Sequence, residues 1–157
     1  MEQEEYLKIY VATSWKNAMY AIVVRAIRKS GHEVLDWSTT NVALPDFRQL
    51  DDRFGAASST GSWEPQLAQE MLKRAEVVAA YSRDIQMLKE CDALVLLTPC
   101  GRNAHFEAGY AQGKGKPCAL FLAPKVEPEL MTAGMHAISD VESLIRWIDS
   151  ASTAPAA

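Results

Sequence analysis

Little in this sequence can staple a chain, span a bilayer or attract polyanions. The three cysteines, Cys91, Cys100 and Cys118, stand 9 and 18 residues apart. An odd count without a C-x-x-C pair excludes a disulfide frame or zinc site and leaves free thiols, expected as small buried hydrophobes. No apolar stretch approaches the ~20 residues of a membrane helix. The opening Met1-Glu2-Gln3-Glu4-Glu5 is acidic where a secretion signal is basic, so a cytoplasmic location is expected. Neither G-x-G-x-x-G nor a Walker loop occurs. No basic block offsets the net charge of −4 from 16 basic and 20 acidic residues, so neither nucleic acid nor a membrane is an expected partner. Glycine and proline, 8 and 7 of 157 residues, are too few for a collagenous or low-complexity chain.

What remains is a composition 48% hydrophobic and 23% charged, suited to one folded domain. No repeat or linker divides it, and a single domain over residues 1–151 with a disordered tail at 152–157 is expected. Leu7 to Ala12 reads as a strand, then Ala18, Ile22, Val23, Ala26 and Ile27 recur at helical spacing before Gly31. Glu33 to Trp37 is a second strand, which completes a βαβ unit. From Ser38 to Trp63 periodicity vanishes, and these 26 residues, with Pro45, Gly55 and Gly61, read as a long loop. Pro65 opens a helical stripe that reaches Cys91, as one helix or as two joined near Tyr81. Ala93 to Thr98 and Cys118 to Ala123 are apolar enough for central strands. Between them Ala104 to Gln112 is helical, and a short strand is expected near Ala137-Ile138. Ser139 and Glu142 are spaced as a capping box for a last amphipathic helix. Alternating strands and helices predict an α/β fold: a flavodoxin-like three-layer sandwich with a five-stranded parallel sheet.

Ligands of such sheets bind beyond the carboxyl ends of the strands, where strand order reverses. That singles out the turn after strand one, the long loop, and the turn after Ala93–Thr98. In the first, Ser14, Trp15, Lys16 and Asn17 lead into a helix N-terminus, whose free N–H groups attract an anion. Ser14 or Asn17 as a helix cap beside an exposed Lys16 is the plainer alternative. In the long loop Phe47, Phe54 and Trp63 either face a ligand or anchor the loop to the core. In the third, Gly101 permits a tight bend, Arg102 follows, and Asn103 is a good helix cap. Glu107 then falls in the first helical turn, as a reactive carboxylate or as one drawn by the helix dipole. Gly109, costly inside a helix, marks close approach of a ligand or helix-on-sheet packing. Tyr81-Ser82-Arg83-Asp84 adds a second carboxylate, 23 residues before Glu107, which shares its cavity or is simply solvated.

Tyr81-Ser-Arg-Asp84, an apolar strand, and then Asn103-Ala-His-Phe-Glu107-Ala-Gly-Tyr-Ala-Gln-Gly-Lys-Gly-Lys-Pro117 together resemble the nucleoside 2-deoxyribosyltransferase family and its nucleoside 5'-monophosphate N-glycosidase relatives. With Ile9-Tyr-Val-Ala-Thr-Ser14 the resemblance spans most of residues 7–124. It implies cleavage of the bond between a nucleobase and C1' of a sugar. It places Glu107 as the nucleophile and Asp84 as the group that contacts or protonates the departing base. Ser14, Lys16 and Asn17 match the turn that holds a 5'-phosphate in the phosphohydrolase relatives. Such chemistry needs two carboxyls and no metal or organic cofactor, as retaining glycosidases show.

One departure carries weight. Transferases of that family have a second aspartate about six residues before the glutamate, and here that position is Gly101. Arg102 and Asn103 suit an anion or a sugar hydroxyl better, which favours hydrolysis of a phosphorylated nucleotide over base exchange. His105 either assists or only packs and hydrogen-bonds. The expected partners are a small nucleoside or nucleotide and, by the resemblance, further copies in a homodimer or higher homo-oligomer. A non-catalytic nucleotide-binding or sensing module and an NAD-type glycohydrolase are the alternatives.

Overall fold

Hydrophobic pattern dictates the sheet. In the computed structural model, which describes residues 6–40 and 46–152, five strands form: β1 (Lys8–Ala12), β2 (Glu33–Val34), β3 (Ala93–Leu97), β4 (Cys118–Phe121) and β5 (His136–Ile138). All pair in parallel, in the order β2-β1-β3-β4-β5. This is the flavodoxin-like order, and the fold is α/β as expected. Every residue of β3 and β4 is buried, as befits strands covered on both sides.

The chain forms two compact units. One runs from the N-terminus to Asp36 and resumes at Met87; the other is Trp37–Gln86. In the first, α1 (Tyr20–Lys29) and α7 (Val141–Ser152) contact each other. Val23, Val24, Ile27, Leu144 and Ile148 from these helices join Ile9, Val11, Val95, Leu97 and Phe121 from the strands in one apolar cluster. Alternate strand residues Tyr10, Leu94 and Leu96 point to the other side of the sheet and are also buried. There α6 (Arg102–Gly113) packs on β1, β3 and β4, presenting the buried Ala104, Ala108 and Ala111. Small side chains at spacings of four and three let that helix lie close to the sheet.

Several local expectations are corrected. β2 stops at Val34 rather than Trp37, because Asp36 turns away to accept hydrogen bonds from Tyr20 Oη at 2.7 Å and Arg28 Nη2 at 3.0 Å. Trp37 opens a 3₁₀ turn instead. The cap of α7 is Asp140, not Ser139: its carboxylate accepts from Ser143 N at 2.7 Å and Ser143 Oγ at 2.8 Å, which holds its pKa low. Glu142 pairs with Arg146 rather than closing a box. α7 runs through Ser152, assigned by sequence to the tail, and residues 153–157 lie outside the described residues.

The second unit holds most of the stretch expected as loop, of which Pro45 and its four predecessors lie outside the described residues. It contains α2 (Phe47–Leu50) and α3 (Asp52–Thr60). Asp51 caps α3 by accepting from Arg53 N at 2.9 Å, and Gly61 at φ 72° ends it in the left-handed conformation. Gly55 and the Ser58-Ser59-Thr60 run weaken the helical signal here, although the cap and stop are both legible. The apolar stripe after Pro65 is two helices, α4 (Pro65–Leu72) and α5 (Ala75–Glu90), the latter continuing past Gln86 into the first unit. Their break falls at Lys73-Arg74, where α4 tightens to i→i−3 hydrogen bonds, and α5 passes through Tyr81 uninterrupted. Among the described residues no helix is long and apolar enough to cross a membrane.

Candidate active site

Reversal of the strand order between β1 and β3 makes their loops diverge, and a crevice opens where they do. It is an open cavity of about 230 Å³ lined by Ser14, Lys16 and Asn17 after β1 and by Pro99, Cys100 and Gly101 after β3. Two of the three turns singled out from sequence therefore meet, and both lie in the first unit.

At this edge side chains replace the backbone ladder. The last β1–β3 pair is Ala12 with Leu96. One residue on, the Thr13 hydroxyl donates to Leu97 O at 2.7 Å. On the other side of β3, Thr98 Oγ1 donates to Phe121 O at 2.7 Å and accepts from Ala123 N at 2.9 Å. The Thr98–Pro99 peptide is cis. Ser14 Oγ accepts from Lys16 N at 3.3 Å, Trp15 is 72% exposed, and Lys16 Nζ sits 5.1 Å from the centre of its ring. A cation and an aromatic face thus stand together at the rim.

Across the crevice, α6 starts two residues earlier than expected. Gly101 is its N-cap, in extended conformation and without a capping side chain, so Asn103 is an exposed residue within the helix rather than its cap. The first N–H groups of α6 are consequently left for solvent or an anion. Gly101 and Arg102 are exposed at this end. His105 turns back: its Nδ1–H donates to Gly101 O at 2.9 Å and lies 3.9 Å from Cys100 Sγ. Since a carbonyl only accepts, Nδ1 carries the proton and Nε2 is the free face of the ring.

Glu107 is half-buried in the second turn of α6, not the first. It lies near Cys100, whose thiol is pushed up to about 11 by burial first and by the Glu107 charge second. Cys91 and Cys118 are buried free thiols, as expected of small core residues, whereas Cys100 is only partly buried. Gly109 is exposed, and a Cβ built there meets nothing within 4 Å. Among the described residues no cluster of three His, Cys, Asp or Glu side chains could hold a metal ion.

Tyr81 and Asp84 belong to the second unit, on α5. Tyr81 is exposed and Asp84 half-buried. Burial raises the Asp84 carboxyl above its ordinary value of 3.8, and Arg83, bonded through Nε at 2.8 Å, opposes that rise. Arg83 is a residue that sequence reasoning passed over. Its side chain is buried, and it also donates to Thr40 Oγ1 at 3.4 Å. Of the aromatic residues considered for facing a ligand, Phe54 is buried and lies against Trp63 with ring centres 6.0 Å apart, so these two anchor the unit. The side chain of Phe47 lies outside the described part of the structure.

The sequence matches no protein-family profile and no curated protein. Among solved structures, the chain is similar to the Clostridium botulinum CMP N-glycosidase BcmB, with 16% identity over 90% of this chain and 98% of that one and a TM-score of 0.52. It is also similar to a 2-deoxyribosyltransferase from the psychrotolerant bacterium Bacillus psychrosaccharolyticus, with 18% identity over 88% of this chain and 90% of that one and a TM-score of 0.58. These are the two kinds of protein whose motifs the sequence resembles, and the chain has their fold.

Proposed function

We propose that this chain cleaves the N-glycosidic bond of a nucleoside or nucleotide, with a nucleoside 5'-monophosphate as the favoured substrate. One observation carries the proposal: a half-buried carboxylate, Glu107, stands on the helix that follows β3, near Cys100 in the cavity wall. The plain alternatives for this helix weaken. The dipole favours carboxylates within the first turn, and Glu107 is beyond it. Packing against the sheet does not require Gly109, whose missing Cβ would project into open space.

In the proposed reaction the C1'–N bond breaks, its electron pair leaves with the base, and a Glu107 oxygen bonds C1' of the oxocarbenium-like sugar. Water then attacks C1' and gives its proton to the carboxylate left by the acid that protonated the base; the C1'–O bond to Glu107 breaks, Glu107 regains its charge, and the sugar, with its 5'-phosphate where the substrate is a monophosphate, departs. Asp84 is assigned to protonating the departing base, on its match to the family pattern and on a raised pKa that keeps a larger fraction protonated. Ser14, Lys16 and the uncapped start of α6 are assigned to the 5'-phosphate, with Trp15, Arg102 and Asn103 around the sugar and base. Gly101, at the position where the transferases have their second aspartate, supports hydrolysis over transfer. The exposed Phe106, Leu130 and Met131 belong to the first unit's surface, and a homo-oligomer is proposed to cover such apolar side chains.

A screen of nucleosides, nucleoside monophosphates and NAD for released base, read by chromatography, tests the proposal. Glu107→Ala is expected to fold and to release no base; release at the native rate would remove it as nucleophile. Lys16→Ala is expected to raise KM for the monophosphate about tenfold while leaving the nucleoside unaffected. Tight nucleotide binding with no base release would instead mark a sensing module.

Asp84 also sets a pH dependence. Its acid form is lost as pH rises through its elevated pKa, so base release should decline along that limb. Asp84→Asn is expected to abolish the limb and lower the plateau by roughly 10²–10⁴-fold, the range for a general acid. A limb unchanged in the variant would assign it to another group.

Gly109→Ala separates stability from function. With room for the methyl and a helical backbone, it is expected to stabilise the fold by about 0.5–1 kcal/mol in denaturant melts. If substrate passes over this turn, the same variant slows base release. Stabilisation with full activity would take Gly109 out of the site.

A further inference from the structure

The carboxyl ends of β1 and β3 pose a problem of hydrogen bonding. The peptide joining Leu97 to Thr98 bonds in both directions: its N–H donates to Phe121 O at 3.1 Å on the β4 side, and its C=O faces the β1 side. There the β1 backbone has already turned away. Two side chains reach that carbonyl. Thr13 Oγ1 donates to it at 2.7 Å, and Asn17 Nδ2 donates at 3.4 Å. The same amide nitrogen donates to Thr13 Oγ1 at 3.0 Å and to Pro99 O at 3.2 Å, two residues further along the β3 exit. With two hydrogens for three acceptors, one bond is shared. The amide oxygen is also used, accepting from Met19 N at 2.9 Å just before α1.

We propose that Asn17 is a positioning residue that clamps the two loops of the crevice together, rather than a direct contact to substrate. Both ends of its amide are engaged by the protein, across 80 and 82 residues of sequence toward β3 and locally toward α1. Its neighbours Ser14 and Lys16 stand on one wall of the cavity, and Pro99, Cys100 and Gly101 on the other. Fixing Pro99 O to Asn17 therefore fixes the separation of the walls, and with it the approach of Lys16 to the start of α6. A side chain that spans such a crevice governs geometry at the reacting centre without touching it, and small displacements there are costly. The clamp stands on the geometry alone; its effect on turnover rests on the proposed glycosidic-bond chemistry.

Asn17→Asp isolates the amide donors. The carboxylate keeps an oxygen for Met19 N and suits a helix start, so folding is preserved, while both N–H groups are lost. Hydrogen exchange followed by mass spectrometry is the primary measurement, made on Asn17→Asp and Asn17→Ala. In both variants, amides of residues 14–17 and of residues 100–102 are expected to exchange about tenfold faster than in the native chain, as loss of roughly one hydrogen bond's net free energy implies. The melting transition should stay single. Acceleration at residues 14–17 alone, or none in Asn17→Asp, would overturn the clamp.

Turnover supplies the second arm, with CMP and cytidine as probes. For Asn17→Ala a positioning role lowers kcat on both probes by a similar factor with KM little changed. A direct phosphate contact would instead raise KM for CMP alone, and that result would overturn the proposal. If the native chain releases base from neither probe, cytosine nucleosides and nucleotides are excluded as substrates, yet the exchange result still decides the clamp.

Discussion

Parallel strands that change direction of progression leave carbonyls without backbone partners, and that constraint shapes this molecule's most chemically useful edge. Between β1 and β3 the chain departs to opposite sides, so the ladder cannot continue past Ala12 and Leu96. Buried carbonyls left unpaired would each cost on the order of 1–3 kcal/mol. Thr13 and Asn17 remove that penalty at Leu97 O with side-chain donors; Asn17 also reaches Pro99 O, and Thr98 Oγ1 adds a second donor to Phe121 O beside the Thr98 N–H. The crevice stays open because its polar rim is satisfied from within the protein.

An opening held in this way can use its remaining groups on a ligand. Lys16 offers charge, Trp15 an aromatic face, and the start of α6 a row of N–H groups without a capping side chain. Glu107 rides on the same helix, which three alanines seat against the sheet. A scaffold of this kind holds its side chains in fixed positions, which the proposed chemistry at Glu107 requires. Within the second unit, burial strengthens the proton affinity of Asp84, and Arg83 opposes that effect.

Much of this was legible in the residues themselves. Continuous apolar runs mark β3 and β4, helical spacing marks α1 and α7, and the alternation of strands and helices points to the two turns at the switch point. What escaped notice had physical reasons. α3 carries Gly55 and a Ser58-Ser59-Thr60 run that weaken its helical signal, and it is bounded by its cap at Asp51 and stop at Gly61. Asn103 has the chemistry of a cap, yet Gly101 takes the place because the chain becomes helical directly after it. Asp140 outcompetes Ser139 since its carboxylate reaches two groups of Ser143. The engagement of Asn17 with Leu97 and Pro99 is a tertiary matter, set by strand order, and no local pattern announces it.

The central claim is that Glu107 forms a bond to C1' of a nucleotide sugar. A 2'-fluoro-arabino nucleoside monophosphate, whose fluorine slows breakdown of such an adduct, tests this by peptide mass spectrometry after incubation with the native chain. The account predicts release of free base together with a mass increase, equal to one fluorinated sugar phosphate, on the peptide containing Glu107. Base release with the label on a different side chain would contradict it.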